Sequence, residues 1–221
     1  METAKTSTIR IYKPSVRCPS WVVVIGAGAG GPQSLAQLLP LFAADLPATI
    51  VVCQHMRRGF TRVLADLLGP MCKMLIYELE HQQALQTSRI VIAPASSRLT
   101  IANVGDSAAP AYNLVIEETG GDSPEHTISQ IDVAMASAAK AFGARAIGVL
   151  LSGFDIDGCE GMRAIRNAGG LTIVQDEASS TAHYMPASAI CAGVVQQVLP
   201  LWGIADHITS ILRGEADANA A

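Results

Sequence analysis

The stretch "WVVVIGAGAGGPQSLAQLLPLF", Trp21 to Phe42, limits the fold more than any other part of the chain. An unbroken β-branched run reads as a strand buried on both faces, and such a strand needs helices above and below it. A glycine turn follows, and then Pro32 opens a segment of helical periodicity at a plausible first turn. Related units recur along the chain. "ATIVVCQ" (Ala48–Gln54), "AIGVLLS" (Ala146–Ser152), "LTIVQ" (Leu171–Gln175) and "GVVQQVL" read as strands. Helical patterns cover Thr61–Leu68, Gln130–Phe142, Glu160–Ala168, Pro186–Cys191 and Trp202–Leu212. Between Thr61–Leu68 and Gln130, four short runs, "MLIYEL", "RIVIAP", "RLTIAN" and "YNLVIEE", lack an intervening helix and read as hairpins added to one side of the sheet. The expectation is a three-layer α/β domain with a doubly wound, mostly parallel sheet over residues 21–212. Residues 1–20 read as a flexible arm and 213–221 as a disordered tail.

Composition narrows the function. With 221 residues the chain has room for one full α/β core, and 50% hydrophobic content with 15% charged residues supports buried strands. A net charge of −4, with no long Lys or Arg run, argues against a nucleic-acid partner. No apolar run is long enough to insert in a membrane. The five cysteines (Cys18, Cys53, Cys72, Cys159, Cys191) form no C-x-x-C pair and read as reduced thiols of a cytoplasmic protein. His81, His126, His183 and His207 have no ligand spacing, so neither a metal nor a cofactor is expected.

Gly26, Gly28 and Gly31 satisfy G-x-G-x-x-G directly after a strand, which is how a dinucleotide site begins. Such a site also needs an acidic residue at the end of the second strand to hold the ribose hydroxyls. Here that position offers Cys53, Gln54 and His55. A dinucleotide-binding Rossmann protein therefore stays only as a remote alternative.

Several motifs taken together fit another family. "VIGAGAGGP" ending at Pro32, "QHM" with "GFT" (Gln54–Thr61), "LLSGFDIDGCEGM" (Leu150–Met162), and "QDEAS" followed by "MP" (Gln175–Pro186) occur in this order. They resemble the catalytic domain of the chemotaxis protein-glutamate methylesterases, the CheB family, from about Trp21 to Leu212. The resemblance implies a doubly wound α/β fold and hydrolysis of glutamyl methyl esters on chemoreceptor helices by a serine, a histidine and an aspartate. Carried onto this chain, the base is His55 and the residue orienting it is Asp157. The family's turn reads G-A-S-T-G-G-P, so the serine position is Gly28 and the following threonine is Ala29. Where the family commonly has a methionine in the oxyanion loop this chain has Phe154, followed by Asp155, a second carboxylate that would oppose a developing oxyanion. Where the family usually has prolines after "QHM" it has Arg57 and Arg58, a solvated rim or a cationic lip for acidic receptor helices.

Substitute nucleophiles are poor. Ser34 lies on the following helix, Ser152 reads as a hydroxyl satisfying loop backbone, and Cys53 reads as strand packing on the face of His55. Asp176 and Glu177 read as capping and loop residues. The resemblance thus implies a methylesterase domain whose partners are chemoreceptor cytoplasmic helices or another signalling protein. It is catalytically impaired because Gly28 has no attacking oxygen. The alternative is an ester hydrolase or glutaminyl deamidase that uses water activated by His55 and Asp157. The accompanying Ala29, Phe154 and Arg57 changes argue against a single-residue knock-out. The residues before Trp21 are too few for the receiver domain usual in the family.

Overall fold

Strand β1 (Trp21–Ala27) is buried along its whole length and lies at the centre of a seven-stranded sheet. The computed structural model describes residues 18–95, 97–106, 109–118 and 130–218. In sheet order the strands are β10 (Gln197–Leu199), β9 (Leu171–Gln175), β8 (Ala146–Leu150), β1, β2 (Ala48–Gln54), β5 (Arg89–Ile92) and β3 (Leu75–Glu78). Every pairing among them is parallel. A small antiparallel sheet of β4 (Gln83–Ala84), β7 (Tyr112–Glu118) and β6 (Ser97–Asn103) stands apart from it.

The period-two alternation of β1 explains the layers. Val23 and Ile25 face one core with α1 (Gly31–Leu38), α2 (Phe60–Leu68) and α6 (Leu201–Ala218). Val22 and Val24 face the other, with α3 (Gln130–Phe142), α4 (Cys159–Asn167), α5 (Tyr184–Cys191) and the small sheet. Both faces are covered, as the apolar run requires.

The middle of the chain departs from the sequence reading. "RIVIAP" and "MLIYEL" are not hairpin strands but β5 and β3 of the main parallel sheet. The consecutive buried residues Ile90, Val91 and Ile92 mark a strand packed on both faces, and a hairpin on an open face would alternate. Only β6 and β7 form the expected hairpin, and along β6 the buried Ser97, Leu99 and Ile101 alternate with partly or fully exposed residues. The connection from β3 to β5 passes through β4 in the second sheet, so a strand layer does the covering that a crossover helix normally does. At the carboxyl end, helix α6 continues past Leu212 to Ala218, so Arg213–Ala218 of the expected irregular tail are helical. The expected arm before Cys18 lies outside the described residues.

Gly26 sets how closely α3 approaches the sheet. A Cβ there would lie 2.5 Å from Ile131 Cγ2 and 2.9 Å from Leu150 Cδ2, inside van der Waals contact. Gly26→Ala should lower unfolding stability by about 1–3 kcal/mol through overpacking. Urea unfolding with an unchanged slope would measure it.

Candidate active site

In a parallel sheet all carboxyl ends lie at one edge, and the strand order turns back at β1 with β2 and β8 on its two sides. Three loops therefore meet there: Gly28–Gly30 after β1, His55–Gly59 after β2, and Leu151–Gly158 after β8. Backbone bonds lock them together. Gly28 N–H donates to Ser152 O at 2.8 Å, His55 N–H to Ala27 O at 2.9 Å, and Leu151 N–H to Gly26 O at 2.9 Å. Gln54, 2% exposed, donates Nε2–H to Gly28 O at 2.8 Å and to His55 O at 3.1 Å. The residue a dinucleotide site would need as a ribose-binding carboxylate is thus an amide that holds the turn.

The glycines of the turn differ in kind. Gly30 is left-handed at φ 80°, and a Cβ on it would strike Ser152 Oγ and Thr181 Cβ, each at 2.6 Å. Gly28 is not in the left-handed region. A Cβ there would meet Gly153 Cα at 3.0 Å, then Asp155 Oδ2 and Met185 Cε at 3.5 Å. A side chain at position 28 is tight but conformationally permitted.

The structure brings His55 and Asp157 together. Asp157 Oδ2 lies 2.9 Å from His55 Nε2. This carboxylate is 1% exposed and accepts two more bonds from the start of α3, from Ile131 N–H at 2.9 Å and Asp132 N–H at 2.9 Å. The positive end of the helix therefore stabilises its charge. The neighbouring Asp132 accepts the Gly161 N–H at 2.7 Å, and burial together with the charge of Asp157 pushes its carboxyl above the ordinary range.

One contact was not anticipated. Asp155 Oδ2 lies 2.7 Å from the other ring nitrogen, His55 Nδ1. Its Oδ1 accepts Asp157 N–H at 3.0 Å, which fixes the carboxylate in a short turn. The sequence reading set Asp155 against an oxyanion. The structure sets it on the imidazole instead, so both ring nitrogens face carboxylates. The signal was the spacing of Asp155 and Asp157, two acids one residue apart in a tight loop. Two further contributors are the amide of Gln54, whose part in holding the turn the "QHM" motif did not reveal, and the N-terminus of α3, which carries no motif.

The other candidates separate cleanly. Arg57 lines a cleft of about 390 Å³ with Gly28, Ala29, His55, Met56 and Phe60, whereas Arg58 lines a neighbouring groove of about 660 Å³ with Glu78, Glu80 and His81. The two arginines thus line different clefts. Ala29 is exposed, and Phe154 turns its ring outward at 71% exposure. Ser152 Oγ–H donates to Ala29 O at 2.7 Å and its oxygen accepts Ala182 N–H at 2.8 Å, so the hydroxyl serves loop backbone. Ser34 is buried on α1 with its hydroxyl 3.4 Å from Gln175 Oε1. Burial pushes the Cys53 thiol up to about 12, which leaves no useful thiolate. Asp176 closes a turn by accepting Ser179 N–H at 3.0 Å. His81 borders the larger groove, His183 precedes α5, His207 lies on α6, and His126 falls outside the described residues. Among the described residues no His, Cys, Asp and Glu cluster has metal-holding geometry. No helix among them is long and apolar enough to cross a membrane.

The family model for CheB methylesterase matches residues 23–208. The protein-glutamate methylesterase/protein-glutamine glutaminase 1 of Carboxydothermus hydrogenoformans is 39% identical over 189 residues, covering 86% of this chain and 54% of that protein. The protein-glutamate methylesterase FrzG of Myxococcus xanthus is 37% identical over 183 residues, with coverage of 83% and 52%. The crystal structure of the Thermotoga maritima CheB methylesterase catalytic domain aligns with a TM-score of 0.77 at 28% identity, covering 86% of this chain and 98% of that one. The chain spans about half the length of the curated relatives it matches.

Protonation of His55 follows from its neighbours. Burial works against the charged ring, but hydrogen bonds to Asp155 and Asp157, and their charges, outweigh it and raise its pKa to about 9. Because this lies above the ordinary 6.5, the imidazolium's contribution to stability is complete below pH 6.5 and is lost as pH rises through about 9. Urea unfolding at a series of pH values should show stability falling across that window. The corresponding fall should be absent in His55→Gln.

Proposed function

The chain belongs to the CheB methylesterase family, and from that premise we propose a domain that recognises its substrate but does not hydrolyse it at a signalling rate. The substrate is a glutamyl methyl ester on the cytoplasmic helices of a chemoreceptor, or the equivalent segment of another signalling protein. What supports this reading is that Gly28, at the position the motif resemblance assigns to the family's serine, carries no side chain. The cleft and the His55–Asp157 pair are kept around it. Acyl transfer needs an oxygen or sulfur that adds to the carbonyl carbon while the imidazole takes its proton. Ser34 and Ser152 are bonded elsewhere, and the Cys53 thiol stays protonated.

The size of the loss favours silence over mere slowness. Deleting a triad nucleophile costs a factor of about 10⁶ in turnover, roughly 8 kcal/mol of barrier, in the subtilisin example. The residue of binding and oxyanion contacts leaves only about 10³–10⁴ over the uncatalysed reaction. Hydrolysis or deamidation by water activated at His55 would need an unprotonated nitrogen open to the cleft. Two carboxylates on the ring and a pKa of about 9 count against that near neutral pH.

The test is methanol release from a methylated chemoreceptor cytoplasmic fragment, run beside the Carboxydothermus hydrogenoformans relative. The expected rate is lower than the relative's by about 10⁵-fold or more, while immobilised chain still retains the fragment. Release within about 100-fold of the relative's rate, abolished in His55→Ala, would overturn the proposal.

A further inference from the structure

The geometry points to Asp155 as the residue that fixes the state of this site: its Oδ2 takes the place of the missing hydroxyl beside His55 and holds the ring between two carboxylates. In a triad one ring nitrogen serves the nucleophile and the other the orienting carboxylate. Asp157 occupies Nε2 at 2.9 Å, so Nδ1 is the nitrogen left for a nucleophile, and Asp155 Oδ2 stands there at 2.7 Å. A Cβ at position 28 would lie 3.5 Å from that same oxygen. A restored serine hydroxyl would therefore contend with Asp155 for one nitrogen and one pocket. The Asp155 carboxylate is held in this position by the Asp157 N–H, and its side chain is 36% exposed against 11% for His55.

The acidic neighbours act in the same sense. Facing His55 are Asp155 and Asp157 from the loop after β8. Asp132 of α3 stands behind Asp157, and the protonated thiol of Cys53 lies on β2, two residues before His55. Two of these groups accept charge-assisted hydrogen bonds from the ring, and Arg57 is the cation that lines the same cleft. An imidazolium held this way cannot take a proton from an attacking hydroxyl, so Asp155 is a positioning residue whose effect is to silence the base. The inactive state then has two independent locks, Gly28 and Asp155.

Two measurements test this. In a side-chain NMR titration of the full chain, the His55 midpoint should fall by about one pH unit or more in Asp155→Asn. Asp155→Ala serves as a second variant should the first not fold, as judged by thermal unfolding. In the methanol-release assay, Gly28→Ser alone should stay near background, and Gly28→Ser/Asp155→Asn should exceed it by about 100-fold or more. A midpoint that does not move, or single and double variants that are equally active, would overturn the assignment. The activity measurement rests on the methylesterase reading of the cleft and the titration does not. Single and double variants that are equally silent would therefore count against that reading while leaving the titration to decide on Asp155.

Discussion

A carboxylate sealed from water must be compensated where it stands, and Asp157 is the group around which this site is arranged. Ion burial carries a desolvation cost of several kcal/mol unless the remaining lone pairs are filled. Here they are filled by two backbone N–H groups at the start of α3 and by the His55 ring. That single requirement ties the end of β2, the loop after β8 and the first turn of α3 into one unit. The approach of α3 depends in turn on small residues. Gly158, at φ 98°, would place a Cβ 2.5 Å from Leu150 Cδ2, and Gly26 leaves room for Ile131.

The glycine-rich turn shows why a motif must be read with its surroundings. In a dinucleotide fold the glycines admit a pyrophosphate and the second strand supplies an acid for the ribose. In this chain Gly26 admits a helix, Gly30 allows the left-handed step into α1, and the end of the second strand supplies an amide that binds the turn itself. Gly28 alone is required by neither backbone conformation nor topology. Its presence completes the dinucleotide look of the turn.

Much of the fold was legible because burial on both faces writes itself into sequence. β2, β9 and α3 fall where the apolar runs and helical periodicity put them, since each is packed on a continuous core. The hairpin reading of Leu75–Ile92 failed for a physical reason. Parallel strands normally announce themselves by an intervening helix, and here a two-residue strand in another sheet takes that part. Of the site, the His55–Asp157 pairing was legible through motif order. The grip of Asp155 on Nδ1 was not, because which ring nitrogen a loop carboxylate reaches depends on a turn closed by the Asp157 N–H. No pattern of residue types encodes that choice. The separation of Arg57 from Arg58 was hidden in the same way, since adjacent residues leaving a strand end can enter different grooves.

The pairing of His55 with Asp157 invites the conclusion that the site is catalytic. The energetics weaken that conclusion. Removing His55 would leave a buried carboxylate short of one partner, and removing Asp157 would strand two helix N–H groups and an imidazolium. Breaking a buried pair in this manner typically costs about 3–5 kcal/mol, a large part of the stability of an ordinary domain. No comparable cost attends a change at position 28, where the residue has no side chain to bury or pair. A chain released from selection for hydrolysis would therefore lose its nucleophile first and keep the pair longest. The retained pair testifies to folding before it testifies to chemistry, and the added carboxylate of Asp155 beside it is what the fold alone does not require.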